Sequence, residues 1–121
     1  MGQIIIKEQM KIIDKKISRQ ELTELAEQMF GNFVKGVVDV DEELIALDAE
    51  LHSDEESLLL DNGSVQKNLW GINIYIDKPV EERVEFDSVI NLRPGMGNFS
   101  RGVEDLQIQK KITDIVNKLV E

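Results

Sequence analysis

The run Val34-Lys35-Gly36-Val37-Val38-Asp39-Val40-Asp41-Glu42-Glu43-Leu44-Ile45-Ala46-Leu47-Asp48-Ala49-Glu50-Leu51-His52 decides the fold class. Its first part is short and rich in Val, which predicts a strand over 34–40. Asp41-Glu42-Glu43 can turn the chain into a second strand over about 44–52. Strand side chains alternate, so Ile45, Leu47, Ala49 and Leu51 fall on one face and Asp48, Glu50 and His52 on the other.

Working outward, Ser18-Arg19-Gln20-Glu21 is a capping box that opens a helix over about 19–30, stopped by Gly31-Asn32. Leu22, Leu25, Ala26, Met29, Phe30 and Phe33 give it an apolar stripe. Downstream, Ser53-Asp54-Glu55-Glu56 predicts a second, short helix at 54–61 ending at Asn62-Gly63, with a strand and an Asn-Gly hairpin turn as the rival. Leu69 to Ile76 is expected as a strand, with Trp70, Ile72, Ile74 and Ile76 opposite Gly71, Asn73 and Tyr75. A further strand is expected over 83–92, with Val84, Phe86, Ser88, Ile90 and Leu92 opposite Glu85, Asp87, Val89 and Asn91. Three Gly and a Pro make 93–102 a loop. Val103 to Val120 reads as the last helix, with Leu106, Ile112, Ile115, Val116 and Leu119 on its apolar face.

These elements predict an α+β fold. An antiparallel sheet of about four strands carries the N-terminal and C-terminal helices on one face, and the other face is half open to water. Residues 1–9 are expected as an extension before Met10, and 10–121 as a single α+β domain.

The chain has 121 residues, no Cys and one His. The first figure suits one domain with one core. The second removes disulfides, thiolate metal sites and cysteine nucleophiles. Between Gly36 and Gln66 lie ten of the 24 acids and none of the 14 bases, so that window carries the whole net charge of −10. The charge argues against non-specific nucleic-acid binding. No apolar stretch reaches the ~18 residues of a membrane span, and the N-terminal apolar run is too short for a signal peptide. The expectation is a cytoplasmic protein with no nucleic-acid or membrane partner. A small anionic ligand, a protein partner meeting the acidic window, and a homo-oligomer all stay open.

Three constellations could carry chemistry. In Glu50-x-His52-x-Asp54 the spacing offers carboxylate and imidazole donors to a divalent metal ion such as zinc or manganese. The bland alternative has Asp54 capping a helix and His52 bonded to an acid. In the loop running from Arg93 through Asn98 and Ser100 to Arg101, two Arg could fork onto a carboxylate or phosphate. They could equally pair with the protein's own acids. In Leu69–Tyr75, Trp70 reads as core, while Asn73 and Tyr75 point to the polar face with Asp87 and Asn91.

Taken together, Glu50-Leu51-His52-x-Asp54-Glu55, Asn62-Gly63-Ser64-x-Gln66-x-Asn68-Leu69-Trp70-Gly71-Ile72-Asn73-x-Tyr75 and Glu85-Phe86-Asp87-Ser88-x-Ile90-Asn91-Leu92-Arg93-Pro94-x-x-Gly97-Asn98-x-Ser100-Arg101-x-Val103 resemble the signature of a family of small prokaryotic proteins known only as a domain of unknown function. The resemblance spans about residues 10–120 and implies a single prokaryotic domain. It carries no catalytic role to any residue.

The leading expectation is therefore a binding domain for a small polar or anionic ligand or a peptide. Its site would comprise Asn73, Tyr75, Asp87, Asn91, Arg93, Asn98, Ser100 and Arg101. One rival is a metal-dependent hydrolase of a phosphorylated substrate, with Glu50, His52 and Asp54 as ligands. Another is a regulatory or structural subunit with an acidic interaction surface.

Overall fold

Val37 and Val38 are neighbours in one strand, and neither exposes any surface. Adjacent strand residues point to opposite faces, so the sheet that holds them is covered on both sides. The computed structural model, which describes residues 10–121, sets this strand at the centre of a five-stranded antiparallel sheet. The strands are β1 (Lys11–Ile13), β2 (Phe33–Asp39), β3 (Leu44–Leu47), β4 (Leu69–Tyr75) and β5 (Val84–Glu85). The helices are α1 (Arg19–Glu27), α2 (His52–Asp61) and α3 (Leu106–Leu119). Across the sheet the order is β1-β3-β2-β4-β5. The class is α+β as expected, with one strand more than about four. The expected extension at residues 1–9 lies outside the described residues.

The first face follows the periodicity. Val34, Val38, Ile45, Leu47, Trp70, Ile72 and Ile74 meet Leu22, Leu25 and Ala26 of α1 and Ile112, Ile115, Val116 and Leu119 of α3. Each such aliphatic side chain contributes about 1.5–3 kcal/mol when fully buried. The Ser18 hydroxyl caps α1 by accepting from the Glu21 N–H at 3.0 Å. The reciprocal half of the capping box is absent, because the Glu21 carboxylate takes a bond from Lys11 Nζ instead, at 3.2 Å. Helix α1 ends three residues earlier than expected, where Gly31, with φ 92°, closes its C-terminus by donating to the Ala26 carbonyl. Helix α3 begins only at Leu106, capped by Asp105. Leu106, expected in the core, is 74% exposed at its first turn.

The second face departs from the expectation, since it is not open to water along its length. Helix α2 lies on it and buries Leu59 with Val37, Ala46 and Leu69, against Leu58 and Ile90. The strand expected over 44–52 ends at Leu47, where Asp48 takes the left-handed conformation at φ 75° and breaks the alternation. The chain then enters α2 two residues early. Leu51 holds the cap position without a side-chain bond, and Ser53 lies inside the helix rather than capping it. Gly63, at φ 100°, ends α2 as expected; the Ser64 N–H reaches back to the Leu59 carbonyl at 3.0 Å.

The strand expected over 83–92 survives only as Val84–Glu85. Ser88 turns the chain by accepting the Ile90 N–H at 3.2 Å, and 89–91 form a helical turn. As a result Phe86 packs with the first face and Ile90 with the second. The turn lies against Gly71. A Cβ there would stand 2.5 Å from Ser88 Cβ, so only glycine admits it.

Candidate functional site

Beside β5, the edge of β4 is finished by side chains instead of a strand. Asn91 Oδ1 accepts the Gly71 N–H at 2.8 Å, and its Nδ2 donates to the Gly71 carbonyl at 2.9 Å and to the Arg101 carbonyl at 2.9 Å. This amide copies the donor and acceptor pair of a neighbouring strand. Arg93 continues the edge, donating to the Leu69 carbonyl. Its guanidinium lies 4.9 Å from the Trp70 ring centroid and 3.7 Å from the Glu56 carboxylate. Asn98 Nδ2 donates to the carbonyls of Asn91, Ser100 and Gly102, and its Oδ1 accepts from Glu104 N–H.

Three residues expected in a ligand site, Asn91, Arg93 and Asn98, are therefore spent on the protein's own backbone. Ser100 joins them, its hydroxyl accepting the Gly102 N–H at 3.2 Å. Nor is the loop they flank a loose cradle. The Arg93 and Asn98 backbones pair across it, and Gly97, at φ 81°, closes a helical turn at 94–96.

The expected metal set does not assemble on a strand. Glu50 is exposed between β3 and α2, and Asp54 is exposed in the first turn of α2. His52 is buried, with Nε2 at 2.7 Å from the Ile72 carbonyl. A carbonyl can only accept, so Nε2 carries the proton and Nδ1 is the lone-pair nitrogen. Burial pushes the imidazole pKa down, against the Ile72 bond that raises it, so the ring is held neutral. Among the described residues no group of three or more His, Asp or Glu side chains is arranged to hold a metal ion.

What the structure does bring together is the end of the second face that α2 leaves uncovered. Asn73 and Tyr75 of β4 stand there, with Glu85 beside them on β5. Lys35 pairs with Asn73 across β2 and β4, and Phe33 with Tyr75. His52 feels the charges of Lys35, Asp87 and Arg101, which border the same strip. Asn73 Nδ2 donates to Glu85 Oε1 at 2.8 Å, and the Tyr75 hydroxyl donates to the same oxygen at 3.1 Å. Arg101 and Asp87 form an exposed ion pair at 2.6 Å. Burial and then the Glu85 bond push the Tyr75 phenol up, so it stays a donor. Phe30 stacks on Phe33 with centroids 4.6 Å apart, and Phe33 meets Tyr75 at 5.3 Å, so the strip has an aromatic wall.

Two polar groups in this strip lack partners. Asn73 is 7% exposed, yet its Oδ1 receives no hydrogen bond. The amide orientation is fixed, because the Glu85 carboxylate accepts and must face the NH2. Lys35 forms no ion pair among the described residues; its ammonium lies 5.3 Å from the Phe30 centroid. Nearby, Glu55 of α2 is fully buried. One of its oxygens accepts the Ala49 N–H at 3.2 Å and the other has no partner. Desolvation raises its carboxyl well above the usual range, which favours the protonated form.

Alternation over 69–76 puts Asn73 and Tyr75 together on the second face, and the fold brings His52, Asp87 and Arg101 to the border of this strip by other elements. Sequence reasoning missed Lys35, Glu85 and Glu55. Lys35 left a signal, as the one charged residue within Val34–Val38, but the faces of that strand were not assigned. Glu55 left none, since a glutamate in a first helical turn is ordinarily solvated.

No curated protein and no solved structure matches the chain. The family model described as a protein of unknown function, DUF5674, matches residues 11–119, and the chain belongs to that family.

Proposed function

We propose that the protein is a binding domain for a small polar molecule carrying a carboxylate or phosphate together with an N–H or O–H donor, seated on the uncovered strip of the second face. The observation that carries this reading is the pairing of two unmet groups in register on adjacent strands. Asn73 Oδ1 is buried without a donor, and Lys35 opposite it has no counter-ion among the described residues. A buried acceptor left unmet costs about 1–3 kcal/mol, which a ligand donor would recover. Lys35 supplies the charge for the anionic group. The neutral His52 Nδ1 and the Tyr75 hydroxyl oxygen, whose proton goes to Glu85, add two acceptors, while Phe33 and Tyr75 supply an apolar wall. The metal-dependent hydrolase draws no support from the positions of Glu50, His52 and Asp54.

The test is a thermal melt of the full chain titrated with inorganic phosphate and with citrate, repeated in Lys35→Met. Lys35 is half-buried and forms no ion pair among the described residues, so the variant should melt within a few degrees of the wild type. A saturable rise in Tm that disappears in Lys35→Met supports the site. No rise with either anion, or the same rise in the variant, rejects it.

A further inference from the structure

On the opposite side of the sheet, a cleft of about 460 Å³ lies between α1 and the β1–β3 edge. That size suits a small molecule. Ser18, Glu21, Glu24 and Gln28 line it from the helix side, and Lys11 and Asp48 from the sheet. Three carboxylates thus face one ammonium. Lys11 is already engaged by Glu21 at 3.2 Å, and Glu24 takes only a bond from its neighbour Gln20 at 3.3 Å.

Asp48 is the unusual member. It is 8% exposed, its Oδ1 has no hydrogen-bond partner, and its backbone is held at φ 75°, where few residues other than glycine are at ease. The register that pairs Lys11 with Leu47 sets Asp48 next to that pair, where Lys11, bonded to Glu21, influences its charge without forming an ion pair with it. A buried carboxylate oxygen with no donor, in a cleft with surplus negative charge, asks for a positively charged donor. The wider acidity of the chain, at −10, draws cations to it.

We propose that this cleft is a second binding site, taking a small organic cation with an ammonium or guanidinium group, with Asp48 as the anchoring carboxylate and Glu24 as its companion. Oxygen donors of this kind could also suggest a metal ion. The described residues, however, hold no group of three arranged to bind one, whereas an ammonium needs only two or three acceptors around it. Burial pushes the Asp48 carboxyl up while Lys11 pulls it down. A bound cation would add to the Lys11 effect and hold the group ionised.

The experiment titrates the full chain with cadaverine and, separately, arginine amide, following Tm, with sodium chloride at matched ionic strength as the control. A saturable rise with either probe, beyond the salt control, is expected; which probe acts tells ammonium from guanidinium. Asp48→Gly removes the carboxylate and suits the left-handed backbone, so it should melt no lower than the wild type and lose the rise. Glu24→Gln, on the exposed surface of α1, should fold normally and weaken binding about tenfold, the worth of one charge-assisted hydrogen bond. The absence of any rise, a rise matched by sodium chloride, or a rise that persists in both Asp48→Gly and Glu24→Gln would overturn the proposal.

Discussion

The two faces of the sheet are closed by different physics. On the first, α1 and α3 lay apolar stripes over a mainly apolar strand surface, and burial dominates, with the buried Arg83 adding bonds to the Val120 and Glu121 carbonyls at the end of α3. On the second, one short helix, α2, covers Val37, Ala46 and Leu69 with Leu59. The rest is organised by side chains bonded to backbone: Asn91 on Gly71, Arg93 on Leu69, Asn98 on three carbonyls and His52 on Ile72. A face built by burial tolerates swaps of similar volume. One built by directed bonds tolerates almost none, because each bond has a named donor and acceptor and sits where water cannot replace it. The polar strip of Asn73, Tyr75 and Lys35 lies on the second face, where polar groups are already required.

Arg93 gives the largest expected effect and the sharpest way to break this comparison. Its side chain is 11% exposed and that of Glu56 13%. Desolvation lowers the Arg93 pKa, and Glu56 works the other way by favouring its charge. Arg93→Ala leaves Glu56 without its cation and the Leu69 carbonyl without that donor. The expected loss is about 3–5 kcal/mol by urea unfolding. It should match a core truncation such as Ile112→Ala on the first face, at about 2–5 kcal/mol. Phosphate should not alter the melt of the variant differently from that of the wild type at this position, because the guanidinium is committed to the protein. A loss below ~1 kcal/mol would mean that the second face is held by burial after all.

The legible part of the sequence was the part governed by period. Both terminal helices and the strand at 69–75 with its first-face residues follow from spacing, and the strand at 33–39 from its Val content. The strand expected over 83–92 failed because alternation there was coincidental. Ser88 forms a local side-chain bond that competes with extended pairing, and Gly71 opens space for the resulting turn. Glu50 and His52 do not share a strand face for a related reason: Asp48 adopts φ 75°, which no alternation pattern reveals, and the strand stops before Glu50. Asn91 and Asn98 looked like ligand donors because a residue that satisfies buried backbone and one that satisfies a substrate have the same chemistry. Only the three-dimensional arrangement decides which partner each amide has.

The middle effect is a pH dependence, and the two buried groups on the second face pull it in opposite directions. Glu55 is pushed well above the ordinary value of 4.5. The folded state therefore holds a proton that the unfolded chain has released. Its contribution is full below about 4.5 and is lost as pH rises through the folded value. His52 is lowered from 6.5, so the unfolded chain takes up the proton first. Its contribution is full above about 6.5 and is lost as pH falls toward the folded value. A tenfold difference in proton affinity between the folded and unfolded chain corresponds to about 1.4 kcal/mol. Glu55→Gln keeps an acceptor for the Ala49 N–H and stays neutral at every pH. Its advantage over the wild type should grow as pH rises from 5 to 8, read as the difference between two unfolding profiles. A constant difference across that range would show that Glu55 ionises in the folded protein as freely as in the unfolded chain.

The smallest effect compares one sequence pattern on the two faces. Ser18-x-x-Glu21 and Ser53-x-x-Glu56 both have the capping-box spacing, and the sequence alone treats them alike. In the fold, Ser18 precedes α1 with an extended backbone and accepts the Glu21 N–H. Ser53 is the second residue of α2 and exposed, while the cap position falls to Leu51 without a side-chain bond. Ser18→Ala should therefore cost about 1 kcal/mol, the usual worth of a serine cap. Ser53→Ala exchanges serine for the best helix former at a solvated position and should fall within about 0.5 kcal/mol of the wild type, on the stabilising side. The His52 side chain, not a cap, fixes where α2 begins, through its bond to the Ile72 carbonyl. If Ser53→Ala instead costs as much as Ser18→Ala, α2 starts at Asp54 in solution and His52 is released from Ile72. The imidazole would then titrate near 6.5 by NMR, which is a second, independent reading of the same comparison.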